Sequence, residues 1–344
     1  MRNVVKKLNR IIILFLAISS FIYSQNNRLK NVGTTAASFL EVEVGSRAIG
    51  MGGAFVAVAN DVSALYWNPA GIARLSRGEV IFEQIDWLVD ISFNHFGFVV
   101  PMGHLGSLGA FLTSVNIPRM KVRTVEYPDG TGEYFNASDL SFGLSYAKNL
   151  TDRFSIGFNA KYISERIWHE KATSFAFDIG TLYNTGIGSL TIGAAITNFG
   201  PSMKLDGSDL IIYHDIAPLI DGNNDRIMGK LITDSWPLPL NMQFGISFNI
   251  IDTEASRLTM AMDAFHPINN TESINMGFEW SVFDILFLRG GAKAIGQGDS
   301  EEGLTIGGGL KYRLFGQSFI KIDYAYSDFG RLESVQRFTL FLQF

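Results

Sequence analysis

The sequence predicts an all-β fold: a transmembrane antiparallel β-barrel of about 14 strands with a small N-terminal hatch segment. Composition is the first observation behind this. Hydrophobic residues make up 47% of the 344 and charged ones only 18%, where a soluble domain usually carries about a quarter charged. Yet no run of about 20 apolar residues, the length a spanning helix needs, follows residue 24. The second observation is a period of two. Phe154, Ile156, Phe158, Ala160 and Tyr162 alternate with Ser155, Gly157, Asn159 and Lys161, and Met242 to Ile250 repeat the pattern. One apolar face per strand, with small or polar residues on the other, fits lipid outside and a polar lumen. The third is the C-terminus, where Phe338, Leu340, Leu342 and Phe344 alternate to an aromatic last residue. A last strand of this kind can close on the first and remove the sheet edge.

At the N-terminus, Arg2, Lys6, Lys7 and Arg10 precede an apolar core from Ile11 to Ile18, and Ser24 stands before Gln25. This reads as a signal peptide over residues 1–24, cleaved near Ser24, which addresses the chain to the cell outer membrane. Its removal takes the net charge from −5 to −9. So acidic a chain has no basic stripe for nucleic acid.

Residues 25–77 form the expected hatch or plug. Within them Gly50, Gly52 and Gly53 allow close backbone approach, and Asn68-Pro69-Ala70-Gly71 ends a short helical stretch around Ser63–Trp67. Gly50-Met51-Gly52-Gly53 is not a phosphate loop, because no lysine follows it and the strand–helix context is missing.

The barrel is expected over residues 78–344. Turn signals divide it into strands at roughly 78–87, 91–101, 106–124, 138–149, 152–167, 172–184, 188–204, 238–251, 256–266, 272–282, 284–295, 303–314, 317–328 and 335–344. The inner connections are short, and the outer ones include 124–138, 164–173, 295–303 and the long 200–239. Short turns inside and longer loops outside are the asymmetry of bacterial barrels. By strand parity the lumen receives Lys161, Asp178, Asp263, Glu279, Arg289, Lys293, Lys311, Arg313, Lys321 and Asp323. Both signs are present, so pairing across strands is expected rather than a one-signed filter.

Several motifs carry a resemblance. Ser46-Arg47-Ala48-Ile49-Gly50-Met51-Gly52-Gly53-Ala54, then Asn60-Asp61, then Tyr66-Trp67-Asn68-Pro69-Ala70-Gly71 resemble the PorV/PorQ family of FadL-like outer-membrane barrels. Thr197-Asn198-Phe199-Gly200-Pro201, Leu288-Arg289-Gly290-Gly291 and Asp323-Tyr324-Ala325-Tyr326 extend the likeness. The resemblance implies a 14-stranded barrel with a hatch and a role in type IX secretion. The implied partners are secretion-system subunits and the C-terminal signal domains of cargo, alongside outer-membrane lipid.

No enzyme is expected. With no cysteine and five scattered histidines, the chain shows no HExxH pair and no nucleophile motif, and it implies no cofactor. Asp221, Asn223 and Asp225 have the oxygen spacing that opens a calcium loop, but Arg226 and Ile232 stand where glycine and glutamate belong. A solvated turn is the favoured reading there, with no metal.

The long outer loop is too apolar for solvent alone. Ile211, Tyr213, Leu219, Ile220, Met228 and Trp236 make it the candidate partner-binding surface, unless it folds back into the barrel mouth. The alternative function is passive transport of hydrophobic small molecules, which would need an apolar pocket beneath the loops and a movable hatch.

Overall fold

The computed structural model describes residues 32–88, 91–219, 226–297 and 300–344. The expected leader 1–24 lies outside them, as do Ile220, Asp221, Asn223 and Asp225. Fourteen strands form the wall. The first seven are β1 Glu79–Trp87, β2 Ile91–Pro101, β3 Ser107–Lys121, β4 Tyr134–Asn149, β5 Phe154–Ile167, β6 Glu170–Asn184 and β7 Thr191–Phe199. The rest are β8 Asn241–Asp252, β9 Ser256–Pro267, β10 Ser273–Val282, β11 Leu286–Ile295, β12 Leu304–Arg313, β13 Phe319–Asp328 and β14 Ser334–Gln343. Each pairs antiparallel with the next, and β14 pairs with β1, Glu79 opposite Gln343. The sheet therefore closes, and no backbone edge is left to lipid.

Alternation is as the period of two requires. Along β6, Ala172, Ala176, Asp178 and Gly180 are buried while Phe175, Phe177 and Ile179 between them are exposed. The exposed set is lipid-facing. Inner turns such as 102–106, 150–153 and 283–285 are short, and the backbone NH of Phe344 bonds the carbonyl of Gly78 at 2.9 Å on the same side.

Among the strand boundaries that differ from the sequence reading, two have a backbone cause. The outer connection expected at 164–173 is a two-residue turn, Trp168-His169, because Trp168 adopts φ 52° and lets both strands run on to Ile167 and Glu170. Strand β7 ends at Phe199 rather than near 204. Asn198 sits at φ 63° and breaks the register with β6, and Met203–Lys204 pairs instead with Ser235–Trp236. Loop-length asymmetry therefore rests mainly on residues 122–133 and 200–240.

The lumen is not the polar, water-filled space that alternation alone suggests. Residues 32–77 fill it with short helical pieces, α1 Ser46–Gly50 and α2 Ala64–Trp67, and a 3-10 stretch Pro69–Arg74. Phe55, Leu65 and Trp67 of this hatch are buried in one cluster with Ile81, Val99, Phe111 and Ile163 of the wall. Wall glycines make the fit possible. A methyl group at Gly157 would overlap Pro69, and one at Gly277 would overlap the carbonyl of Met51.

Candidate functional site

The hatch is fastened by buried charge. The Arg47 guanidinium holds Asp61 at 2.8 Å within the hatch and grips Glu279 of β10 with two nitrogens, each at 2.8 Å. Glu279 also receives Arg289 Nε at 2.7 Å, Arg289 reaches Asp323 at 2.8 Å, and Lys321 closes the chain on Asp323 at 2.9 Å. Such two-pronged pairs are strong because the planar guanidinium matches a carboxylate. Burial by itself would raise the pKa of Asp61, but Arg47, Lys321 and the Ser63 hydroxyl outweigh it and hold the group below the ordinary carboxylate range.

Other wall carboxylates accept backbone donors of the hatch. Asp263 takes the amides of Phe55 and Val56 at 2.7 and 2.8 Å, and Glu83 takes that of Gly45 at 2.7 Å. Lys293 bridges Glu43 of the hatch and Glu302 of an outer loop at 2.7 and 2.6 Å. The lumen-facing charges thus pair across strands, as parity suggested, but they also clamp a plug. Lys161 follows the first pattern, pairing with Asp178 at 2.7 Å. Lys311 meets Asp284, and Arg313 meets the carbonyl of Gly316, both at the inner rim.

Of the hatch residues singled out in the sequence, Asn68 is wholly buried. Its amide donates to the carbonyls of Val56 and Thr181, and its Oδ1 accepts from Ala70 at the start of the 3-10 stretch, where Pro69 needs no donor partner. Gly52 and Gly53 have φ 65° and 72°, and Gly52 lies against Ala292 of the wall. Gly50 lies against Gly307, and Gly71 lies against the carbonyl of Ala59. These residues are packed against the inner wall and against one another. Sequence reading missed the clamp itself. Arg47, Glu43 and Glu83 reach their partners across more than 30 positions, and no spacing rule covers that range.

The outer loop is a separate place. Its base folds into the mouth, with Met203 and Leu238 buried and the carbonyl of Pro237 accepting the amide of Ala36 at 2.9 Å. Beyond that base, Ile211–His214 and Ile227–Lys230 pair as a hairpin bonded to no barrel strand. There Tyr213 is 68% and Leu219 99% exposed, and Ile211, Met228 and Trp236 are exposed as well. The base of the loop is thus folded back into the barrel mouth, while its outer part stands exposed. Between loops and hatch lies a cavity of about 310 Å³ lined by Phe39, Tyr66 and Phe111, but also by Lys161, Asp178 and Asn198.

Residues 24–213 match the family described as type IX secretion system protein PorV. The chain belongs to the PorV family. No curated protein sequence matches it significantly. Among solved structures it is similar to the toluene transporter TbuX of Ralstonia pickettii, with TM-score 0.53, 13% identity, and coverage of 87% of this chain and 97% of that one. It is also similar to the monoaromatic hydrocarbon channel CymD, with TM-score 0.54, 11% identity, and coverage of 88% and 97%. The toluene transporter TodX of Pseudomonas putida gives TM-score 0.54, 10% identity, and coverage of 87% and 97%. At these identities the likeness speaks for the fold alone. This PorV-family chain is an outer-membrane β-barrel of FadL-like architecture.

Proposed function

We propose that this protein is a non-enzymatic carrier of type IX secretion that captures cargo through the C-terminal signal domain of the cargo. The exposed hairpin and its flanks carry the reading: Ile211, Tyr213, Leu219, Met228 and Trp236 stand outside the barrel on the side opposite the chain terminus. A free apolar surface of this kind is costly in water and is kept for a partner. Nearby charge is mixed in sign, with Lys230 paired to Asp206 at 2.5 Å, so recognition would rest on apolar contact framed by polar groups.

The competing reading, passive uptake of hydrophobic molecules, finds less support in the cavity beneath the loops. A buried Lys161–Asp178 pair in its wall is poor company for a hydrocarbon. Gene deletion separates the two. Under the carrier reading, cargo bearing the signal domain accumulates in the periplasm. Unchanged secretion together with lost uptake of a hydrophobic substrate would reverse the choice. Excision of residues 208–234 should abolish cargo capture and leave the barrel heat-modifiable on gels. Capture that survives excision would remove the loop from the mechanism.

A further inference from the structure

The cavity between the outer loops and the hatch holds polar groups that the clamp does not use. Gln243 of β8 is 5% exposed and Ser141 of β4 only 1%. Yet Gln243 Oε1 and Ser141 Oγ have no hydrogen-bond partner among the described residues. Asn241 Oδ1, two positions from Gln243 along the same strand, has none either. All three side chains line the cavity. A buried amide or hydroxyl left unpaired is costly, so three on one cavity call for a ligand that supplies donors.

The ionisable groups of the same lining are already taken. Lys161 holds Asp178 at 2.7 Å, and Lys293 holds Glu43 and Glu302 at 2.7 and 2.6 Å. Glu41 accepts from Asn269 Nδ2 at 3.1 Å. What stays unpaired is neutral. The carboxylates Glu41, Glu43, Asp178 and Glu302 also outnumber the lysines Lys161 and Lys293 that hold them, which tells against a phosphate or carboxylate ligand.

Much of the remaining lining is aromatic. Phe39 and Phe111, 6% and 5% exposed, face the same space as Tyr66 and Phe265. Water alone would satisfy the amides and leave these rings wetted. A hydrocarbon would cover the rings and leave the amides unpaired. A compact molecule rich in hydroxyls meets both demands. Each hydroxyl donates and accepts, and a sugar ring keeps a C–H face to lay on an aromatic one. At about 310 Å³ the cavity lies at the small end of ligand sites, which span about 300–1,000 Å³.

We propose that this cavity binds a neutral sugar, hydrogen-bonded by Asn241, Gln243 and Ser141 and packed on the rings of Phe39 and Phe111. Asn270, Thr271 and Gln297, from two outer connections, also line it, and the wall around it is closed. The sugar therefore enters from the outer face, either free or as the end of a glycan chain. The exposed hairpin takes no part, so the proposal can fail while the carrier reading stands.

Saturation-transfer NMR on the full-length barrel, in a detergent without sugar, tests it. The probes are glucose, galactose, mannose and N-acetylglucosamine, with toluene and glucose 6-phosphate as counter-probes. At least one of the four sugars is expected to take up saturation, most strongly on one ring face, and both counter-probes far less. Gln243→Leu should weaken that sugar about tenfold and Ser141→Ala about fivefold. Because Ser141→Ala removes an unpaired hydroxyl, its unfolding midpoint should hold or rise while binding falls, which damage to the fold would not produce. Capture of the barrel on beads bearing the same sugar, competed by the free sugar, marks a glycan end as the occupant. Binding of the free sugar alone marks a small solute, and either result keeps the site. Transfer to none of the four sugars, equal transfer to toluene or glucose 6-phosphate, or undiminished binding in both variants would each overturn the proposal.

Discussion

The hatch and the outer loop are both irregular chain joined to one wall, yet they are built on opposite terms. Inside, residues 44–72 bury nearly every side chain and satisfy part of their backbone with wall carboxylates such as Asp263 and Glu83. Outside, the hairpin Ile211–His214 with Ile227–Lys230 exposes its apolar side chains and bonds mainly to itself. The contrast teaches that irregular backbone is tolerated at membrane depth only when the wall supplies its hydrogen bonds. Segments in water are free of that demand and can keep an apolar surface for a partner.

The comparison breaks most severely at the clamp. Arg47→Leu strands Glu279 and Asp61 beside fewer cations, and losing one partner of a buried pair costs about 3–5 kcal/mol. The expected outcome is a lower unfolding midpoint in detergent and new ion conductance in planar bilayers. Conductance equal to that of the unaltered barrel would show that Arg47 does not hold the plug. Gly277→Val ranks next. It forces β10 away from Met51, and overpacking of this kind costs about 1–3 kcal/mol, read as the same shift in midpoint. Asp263→Asn weakens two charge-assisted bonds, each worth about 1.5–3 kcal/mol. Hydrogen exchange should quicken at the amides of Phe55 and Val56 and stay unchanged at Gly45.

Acidity sharpens the same contrast. The carboxyl of Asp61 titrates below its ordinary value of 3.8 in the folded protein. Its stabilising contribution is therefore full above the unfolded value and is lost as pH falls through the lower folded one. Exchange at Ser63, whose amide donates to Asp61 Oδ1 at 3.0 Å, should be pH-independent in protection above about 5 and lose protection in stronger acid. The smallest effect on stability belongs to the loop. Leu219→Ser should change the midpoint by no more than about 0.5 kcal/mol, as surface substitutions do, while weakening cargo capture. A large loss of stability would mean the tip is packed after all.

The wall was legible in the sequence because a period of two is a local property: each residue of β5 or β8 declares its face by its neighbours alone. The glycines and the Asn68-Pro69 stop marked residues 25–77 as irregular in the same reading, and an excess of large apolar residues set the 200–239 loop apart. Strand ends were less legible. Trp168 and Asn198 turn or kink the chain at positive φ, a conformation that composition does not favour for tryptophan and only permits for asparagine.

What only the tertiary structure decided is where charges meet. Lys161, Glu279, Arg289 and Asp323 were assigned to the lumen by parity, but that Glu279 serves Arg47, 232 residues away, depends on how the hatch is threaded. Periodicity is written along the chain and can be read there. Register and threading are relations between distant segments, set by the closure of the barrel around its plug.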